Sequence, residues 1–213
     1  MPEVQTTAAI ILAAGKSSRM NHEQHKLLLP LGGRPILAHT LDAVQCSQAT
    51  PILLVLGHQA EQIENAIRDS LQKETMLLHN PTYQQGMSTS LCLALQILIP
   101  RPTIDSAIIL LGDQPFMSPA LIDELIKTRH KTGQSIIAAS YHGKRGNPVL
   151  FGRELWEELG MISGDEGGKS VIARHKQELV TIETDEIMIN HDVDTWDAYQ
   201  QALTYWQSQQ QIS

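Results

Sequence analysis

Aromatic side chains are scarce in this chain, with two Phe, three Trp and four Tyr among 213 residues, and cysteine is scarcer still, at Cys46 and Cys92. Two isolated cysteines exclude a disulfide framework. Each lies in an apolar, helix-like stretch and is read as a small buried hydrophobe in a reducing cytosol. No apolar run approaches the roughly 18 residues of a membrane-spanning helix. The opening residues, MPEVQTTAAII, lack a basic segment followed by a long apolar core, so a secretory signal is not expected and a cytoplasmic location is. Positive charge is not in excess: 16 Lys and Arg against 23 Asp and Glu leave a net charge of −7 with histidines neutral. That balance disfavours non-specific nucleic-acid binding while leaving room for a local cationic pocket.

Familiar motifs are missing too. The Gly-x-Gly-x-x-Gly fingerprint of dinucleotide-binding oxidoreductases is absent, since its segment holds only Gly15. AAGKSS looks like the end of a Walker A loop, but Ile10 stands where that motif needs its first glycine. His22 and His25 lie three apart with Glu23 between them, which is not the H-E-x-x-H zinc arrangement, and no Ser-His-Asp order argues for acyl transfer.

What is present reads as one α/β domain over residues 1–213. Apolar content is an ordinary 42%, the length allows a sizeable core, and no repeat, linker or second domain is evident. Short apolar runs predict strands at Ala8–Ala13, Pro51–Leu56, Thr75–His79, Ser106–Leu111, Ser135–Tyr141, Asn147–Leu150 and near Leu179–Thr184. Helices are predicted over Pro35–Gln48, Ala60–Leu71, Met87–Ile99, Ser118–His130 and Thr195–Gln207, with shorter ones near Arg153–Leu159 and Gly168–His175. Ser118 is a candidate N-cap ahead of Pro119, and Ser88 and Thr195 are candidate caps of their helices. Near-continuous apolar strands alternating with helices imply a mostly parallel sheet covered on both faces. Ligands bind such sheets outside the carboxyl ends of the strands, where the loops 14–26, 57–59 and 112–115 are expected to converge.

The first of these loops carries the clearest chemistry. Ala8–Ala13 runs into Ala14, Gly15, Lys16, Ser17, Ser18 and Arg19, with Lys26 beyond. Exposed backbone N–H groups with three cations suit a polyphosphate; a tight turn with solvated charges suits the same residues equally well. Asp113, just after IILLG, fits a Mg²⁺ ligand or an Asx-turn. Asp192 and Asp194 lie just before the last helix, which Asp194 as well as Thr195 fits as a cap.

LAAGKSSRM, KLLLPLGGRPIL and LGDQP together resemble the sugar-nucleotidyltransferase-like superfamily, and within it the molybdenum cofactor cytidylyltransferases and their MobA-like relatives. NPTYQQGMSTSL, GNPVLF, SGDEGGK and DVDT follow in the order of the cytidylyltransferase branch, so the resemblance covers nearly the whole chain. It implies a Rossmann-like three-layer sandwich of the nucleotide-diphospho-sugar transferase type. It also implies transfer of CMP from CTP to molybdenum-bearing molybdopterin; a GTP- or sugar-phosphate-using transferase and a non-catalytic cofactor carrier are the alternatives. By the same resemblance Lys26, Arg19 and Asp113 are the catalytic positions, and Asp113 with Asp194 holds Mg²⁺ or Mn²⁺, tuned by Asp192. The nucleotide falls to Leu12, Ala13, Ala14, Gly15, Lys16 and Ser17, to Gly57, and to Ser88, Thr89 and Ser90. Lys16 sits where the family pattern varies, so phosphate contact and a solvated side chain both stand. Hydroxyls and free backbone amides near Ser88 would read the pyrimidine edge. Ala14, where the guanylyltransferase branch usually has glycine, points to cytidine. The acceptor phosphate would lie near Lys144, Arg145 or Lys169. A recipient molybdoenzyme or its chaperone is the implied partner; nucleic acid and membrane are not.

Overall fold

A computed structural model describes residues 5–17, 20 and 24–211. In chain order the elements are β1 (Thr6–Ala13), the two-residue strands β2 (Pro30–Leu31) and β3 (Arg34–Pro35), α1 (Ile36–Gln45), β4 (Ile52–Leu56), α2 (Ala60–Ile67), β5 (Thr75–His79), α3 (Met87–Leu98) and β6 (Ile104–Leu111). There follow α4 (Pro119–Thr132), β7 (Ile136–Tyr141), β8 (Lys144–Gly152), α5 (Trp156–Gly160), α6 (Lys169–Arg174), β9 (Leu179–Glu183) and α7 (Trp196–Gln210).

Seven strands form one sheet in the order β5-β4-β1-β6-β8-β7-β9, with only β8 antiparallel to its neighbours. Strand β1 shows why the sheet is covered twice. Ala9, Ile11 and Ala13 join one apolar cluster with residues of α1, α2 and α4, while Ala8, Ile10 and Leu12 join another with residues of α3, α5 and α6. A strand buried on both faces must be apolar at every position rather than at alternate ones. The expected three-layer, mostly parallel α/β architecture is therefore the one observed. A third apolar cluster joins α7, through Tyr199 and Ala202, to Leu31, Ile36 and Val193.

Leu12 pairs with both Val55 and Leu111, so β1, β4 and β6 finish side by side and their loops open at one edge. Several local readings are corrected. The segment between Lys26 and Pro35 holds a 3-10 turn and the β2–β3 hairpin, and α1 starts one residue later than its proline and ends at Gln45. That early end leaves Cys46 exposed at the helix C-cap, and Cys92 is half-buried, so neither is a fully buried hydrophobe. Ser118 occupies the N-cap position of α4, but its hydroxyl makes no capping bond. Thr195 does cap α7, accepting from the N–H of Ala198. Ser88 is not a cap: α3 starts after Gly86, and Ser88 lies buried inside its first turn.

Candidate active site

The loop after β1 is held from below by His25 and Lys26. The Nε2 of His25 lies 3.0 Å from the carbonyl oxygen of Gly15, its Nδ1 accepts from the N–H of Leu27 at 3.3 Å, and the N–H of Lys26 donates to Ser17 Oγ at 3.3 Å. Ser17 itself has φ +57°, a left-handed conformation unusual for a side-chain-bearing residue. Among the described residues, the N–H groups of Gly15, Lys16 and Ser17 find no protein acceptor. Donors left unpaired at a strand's carboxyl end are what an anion takes up.

A second loop brings the carboxylates. Thr40 Oγ1 donates to the carbonyls of Gly112 and Gln114, fixing the turn after β6. The carbonyl of Asp113 accepts from the N–H of Val193 at 3.0 Å, which carries the segment before α7 to the same point. There the Lys26 ammonium donates to both Asp113 Oδ2 and Asp194 Oδ1. Burial opposes the charge on Lys26, but the two carboxylates outweigh it and raise its pKa above the usual lysine range. Beside them Asp192 accepts from Gln114 Nε2 at 2.7 Å; burial, then the negative charge of Asp113, pushes its pKa up. Burial pulls His25 down to about 4, so it is neutral near pH 7.

These loops line a cleft of about 520 Å³. Leu12, Ala13, Ala14, Gly15, Lys16 and Ser17 form one side, with Lys26, Asp113, Asp192 and Asp194 at the base. The opposite side is Tyr83, Gln84, Gly86, Met87 and Ser90, joined by Asp165. Other positions expected at the site stand back from it. Gly57 lies behind the loop, where a Cβ would come within 2.8 Å of Ala14, and the N–H of His58 donates to the Ala14 carbonyl. Ser90 reaches the cleft although only 2% exposed, but Ser88 does not line it, and neither does Thr89, whose Oγ1 is bonded to Asn80 and Gly86. Nor do Lys144, Arg145 or Lys169. Arg19 lies outside the described residues.

The expectation of free amides at the start of α3 is also corrected. The N–H of Met87 donates to Asp165 Oδ1 at 2.9 Å and that of Ser88 to the Gly164 carbonyl at 3.0 Å. The loop around Gly164 thus closes over the helix, and Gly86 must be glycine: its φ is +111°, and a Cβ would come within 2.5 to 2.8 Å of the Gly164 backbone. A larger depression of about 630 Å³, lined by Gln5, Asp105 and Arg129 among others, lacks such convergence. Arg129 there is already bonded to Glu154 and to the carbonyls of Gly133 and Gln134.

A family model described as the MobA-like NTP transferase domain matches residues 9–179, which takes in the phosphate-type loop, Lys26 and Asp113. The chain belongs to the MobA-like NTP transferase family. Asp194 lies beyond the matched stretch. A curated relative, the bifunctional protein GlmU of Cereibacter sphaeroides, is 31% identical over 152 residues, covering 70% of this chain and 33% of that protein. The chain thus spans about a third of the length of the curated relatives it matches. The crystal structure of Rv0371c from Mycobacterium tuberculosis is 27% identical with a TM-score of 0.78, covering 94% of this chain and 99% of that one. A complex of Rv0371c with manganese is similar at 25% identity and a TM-score of 0.77, with the same coverage. A nucleotidyl transferase from Methanothermobacter thermautotrophicus shares the fold, with a TM-score of 0.81 at 21% identity over 96% of this chain and 99% of that one.

Sequence reasoning missed Tyr83, Gln84 and Gly86 as lining residues, and reached Met87 and Asp165 only as members of segments that the resemblance places beside the base and near the acceptor. A signal for them existed in two glycine-bearing loops, QQGM and SGDEGG, but their contact is made only by tertiary packing.

Proposed function

We propose that this MobA-like protein transfers CMP from CTP to the terminal phosphate of molybdenum-bearing molybdopterin and releases pyrophosphate. The observation that carries the transferase half is the convergence of Asp113, Asp194 and Lys26 beside the N–H groups of Gly15 to Ser17, which find no acceptor among the described residues. The order of the motifs and Ala14 in place of glycine support the cytidine and molybdopterin half.

A divalent cation fits the donor set. Two carboxylates from distant segments close on one cationic atom and offer only oxygen. Among the described residues no group of three His, Cys, Asp or Glu side chains is arranged to hold a metal alone. Magnesium and manganese suit this pattern, since they bind through one or two carboxylates and complete their shell with phosphates and water. Asp113 and Asp194 would hold the ion, which would supply charge neutralisation at the reacting phosphates.

The protein groups then have separate tasks. The N–H groups of Gly15, Lys16 and Ser17 cradle the triphosphate. Lys26, kept protonated by its carboxylates, neutralises the leaving pyrophosphate, and Arg19 is assigned the same task from the sequence. An acceptor phosphate oxygen forms a bond to the α-phosphorus, the α–β bridging bond breaks, and pyrophosphate leaves with the bonding pair. The acceptor is already anionic, so no general base is required, and catalysis rests on alignment and charge. The product would pass to a recipient molybdoenzyme or its chaperone.

The test is pyrophosphate release from purified protein with magnesium and molybdenum-loaded molybdopterin, comparing CTP with GTP, ATP and UTP. Release with CTP alone, dependent on the acceptor, is expected, with a loss on the order of a hundredfold or more in Asp113→Ala. Full activity in that variant would overturn the metal role. Preference for GTP, or release only with a sugar phosphate acceptor, would overturn the substrate assignment. A folded protein that binds the cofactor and releases nothing with any nucleotide would be a carrier.

A further inference from the structure

We infer that Asn80 is a positioning residue that fixes the Ser90 hydroxyl as a hydrogen-bond donor to whatever base occupies the cleft. The inference rests on the nucleotide reading above and adds a polarity to it.

Asn80 is buried at the end of β5, and its side-chain orientation follows from bond accounting. Its Oδ1 accepts from the N–H of Thr82 at 2.9 Å. A backbone N–H can only donate, so this side of the amide is the oxygen. The Thr82 hydroxyl donates to the same oxygen at 2.9 Å. The other side is therefore the NH₂ group, which donates to Thr89 Oγ1 at 2.8 Å and to Ser90 Oγ at 2.9 Å. An amide nitrogen has no lone pair to offer, so both hydroxyls must accept from it. Thr89 passes its own proton to the Gly86 carbonyl at 2.9 Å. No acceptor for the Ser90 proton is found among the described residues, and Ser90 lines the cleft.

Ser90 is one of few side-chain donors left on this wall, beside the exposed amide of Gln84. The N–H groups of Met87 and Ser88 on the same wall are taken by the loop around Gly164, and the Tyr83 hydroxyl lies 3.3 Å from His58 Nδ1. A base seated against this wall must present an acceptor there, a carbonyl oxygen or an unprotonated ring nitrogen, such as a cytosine edge carries.

Asn80→Asp tests this, because it keeps the oxygen that serves Thr82 and replaces the NH₂ group by an acceptor. The Ser90 proton then turns to the new carboxylate, and the cleft is left with a lone pair. Binding of CTP and of inorganic tripolyphosphate, with magnesium, is measured by calorimetry for the natural protein, Asn80→Asp, Ser90→Ala and the double variant. Tripolyphosphate should bind all four alike. CTP should weaken about tenfold in each single variant, the scale of one lost hydrogen bond. In the Ser90→Ala background, Asn80→Asp should add nothing. Should Asn80→Asp not fold, Ser90→Ala alone should weaken CTP while leaving unchanged a triphosphate whose base is replaced by benzene. Unchanged CTP affinity, equal loss of tripolyphosphate, or a full Asn80→Asp effect without the Ser90 hydroxyl would each overturn the inference while leaving the phosphate site intact. A natural protein that binds neither ligand would overturn the nucleotide reading and this inference with it.

Discussion

At the scale of single residues, His25 shows how a buried polar group is tied to the phosphate-type loop. Its two ring nitrogens need opposite roles, donor to the Gly15 carbonyl and acceptor from the Leu27 N–H, and the neutral Nε2–H tautomer supplies both. Burial holds its pKa down at about 4, against 6.5 for an unperturbed histidine. The unfolded chain therefore takes up a proton that the folded chain refuses. The contribution of this group is complete above pH 6.5 and is lost as pH falls toward 4, by up to about 3 kcal/mol. His25→Gln keeps a donor for Gly15 and cannot titrate. It should cost about 1 kcal/mol at pH 7 and flatten the fall in stability between pH 6.5 and 4, as read by urea unfolding. Equal pH slopes in the two proteins would rule out His25 as the titrating group. Lys26, Asp113 and Asp194 were singled out beforehand by the family resemblance, since position alone also fits a solvated lysine, an Asx-turn and a helix cap. Ser88 misled because the positive φ of Gly86 starts the helix earlier, so a hydroxyl in the right stretch of sequence lies inside the first turn.

At the scale of elements, the strands of the sheet were legible because a strand buried on both faces is a continuous apolar run, as in β1 and β4. The β2–β3 hairpin was not, because two-residue strands have no periodicity to read. Its turn is Gly32–Gly33, and both residues have positive φ, the requirement of a tight two-residue hairpin loop. The two glycines differ in what surrounds them. A Cβ on Gly33 meets nothing within 4 Å, whereas one on Gly32 would come within 2.4 to 2.6 Å of the Trp206 indole on α7. Gly33→Ala should cost only the backbone strain of about 1 kcal/mol, a fall of roughly 2–4 °C in melting temperature. Gly32→Ala adds displacement of Trp206, so its fall should be at least twice as large, with a change in tryptophan emission that Gly33→Ala lacks. Equal melting temperatures would mean that α7 does not rest on the hairpin.

At the scale of the molecule, the site is made by closing widely separated segments on Lys26: Asp113 lies 87 residues away and Asp194 lies 168 away. Sequence could name the three residues, but their meeting depends on the parallel order of β1 and β6 and on the Asp113–Val193 backbone bond. Lys26 is thus a counter-ion to two carboxylates that repel one another without it. Lys26→Met keeps the unbranched stem of the side chain, one atom shorter, and removes the charge. With Lys26 and Asp113 mostly buried and Asp194 35% exposed, the loss falls below that of a fully buried pair. It should be about 2 kcal/mol, or roughly 4–8 °C in melting temperature, measured with chelator present. Magnesium or manganese bound there would supply positive charge to the same oxygens. The variant should therefore gain more melting temperature from added metal than the natural protein does, while losing transfer activity for want of the ammonium at the phosphates. Equal metal responses would mean that the cation does not sit between Asp113 and Asp194. A larger response in the variant would tie the metal to those two carboxylates by a readout independent of turnover.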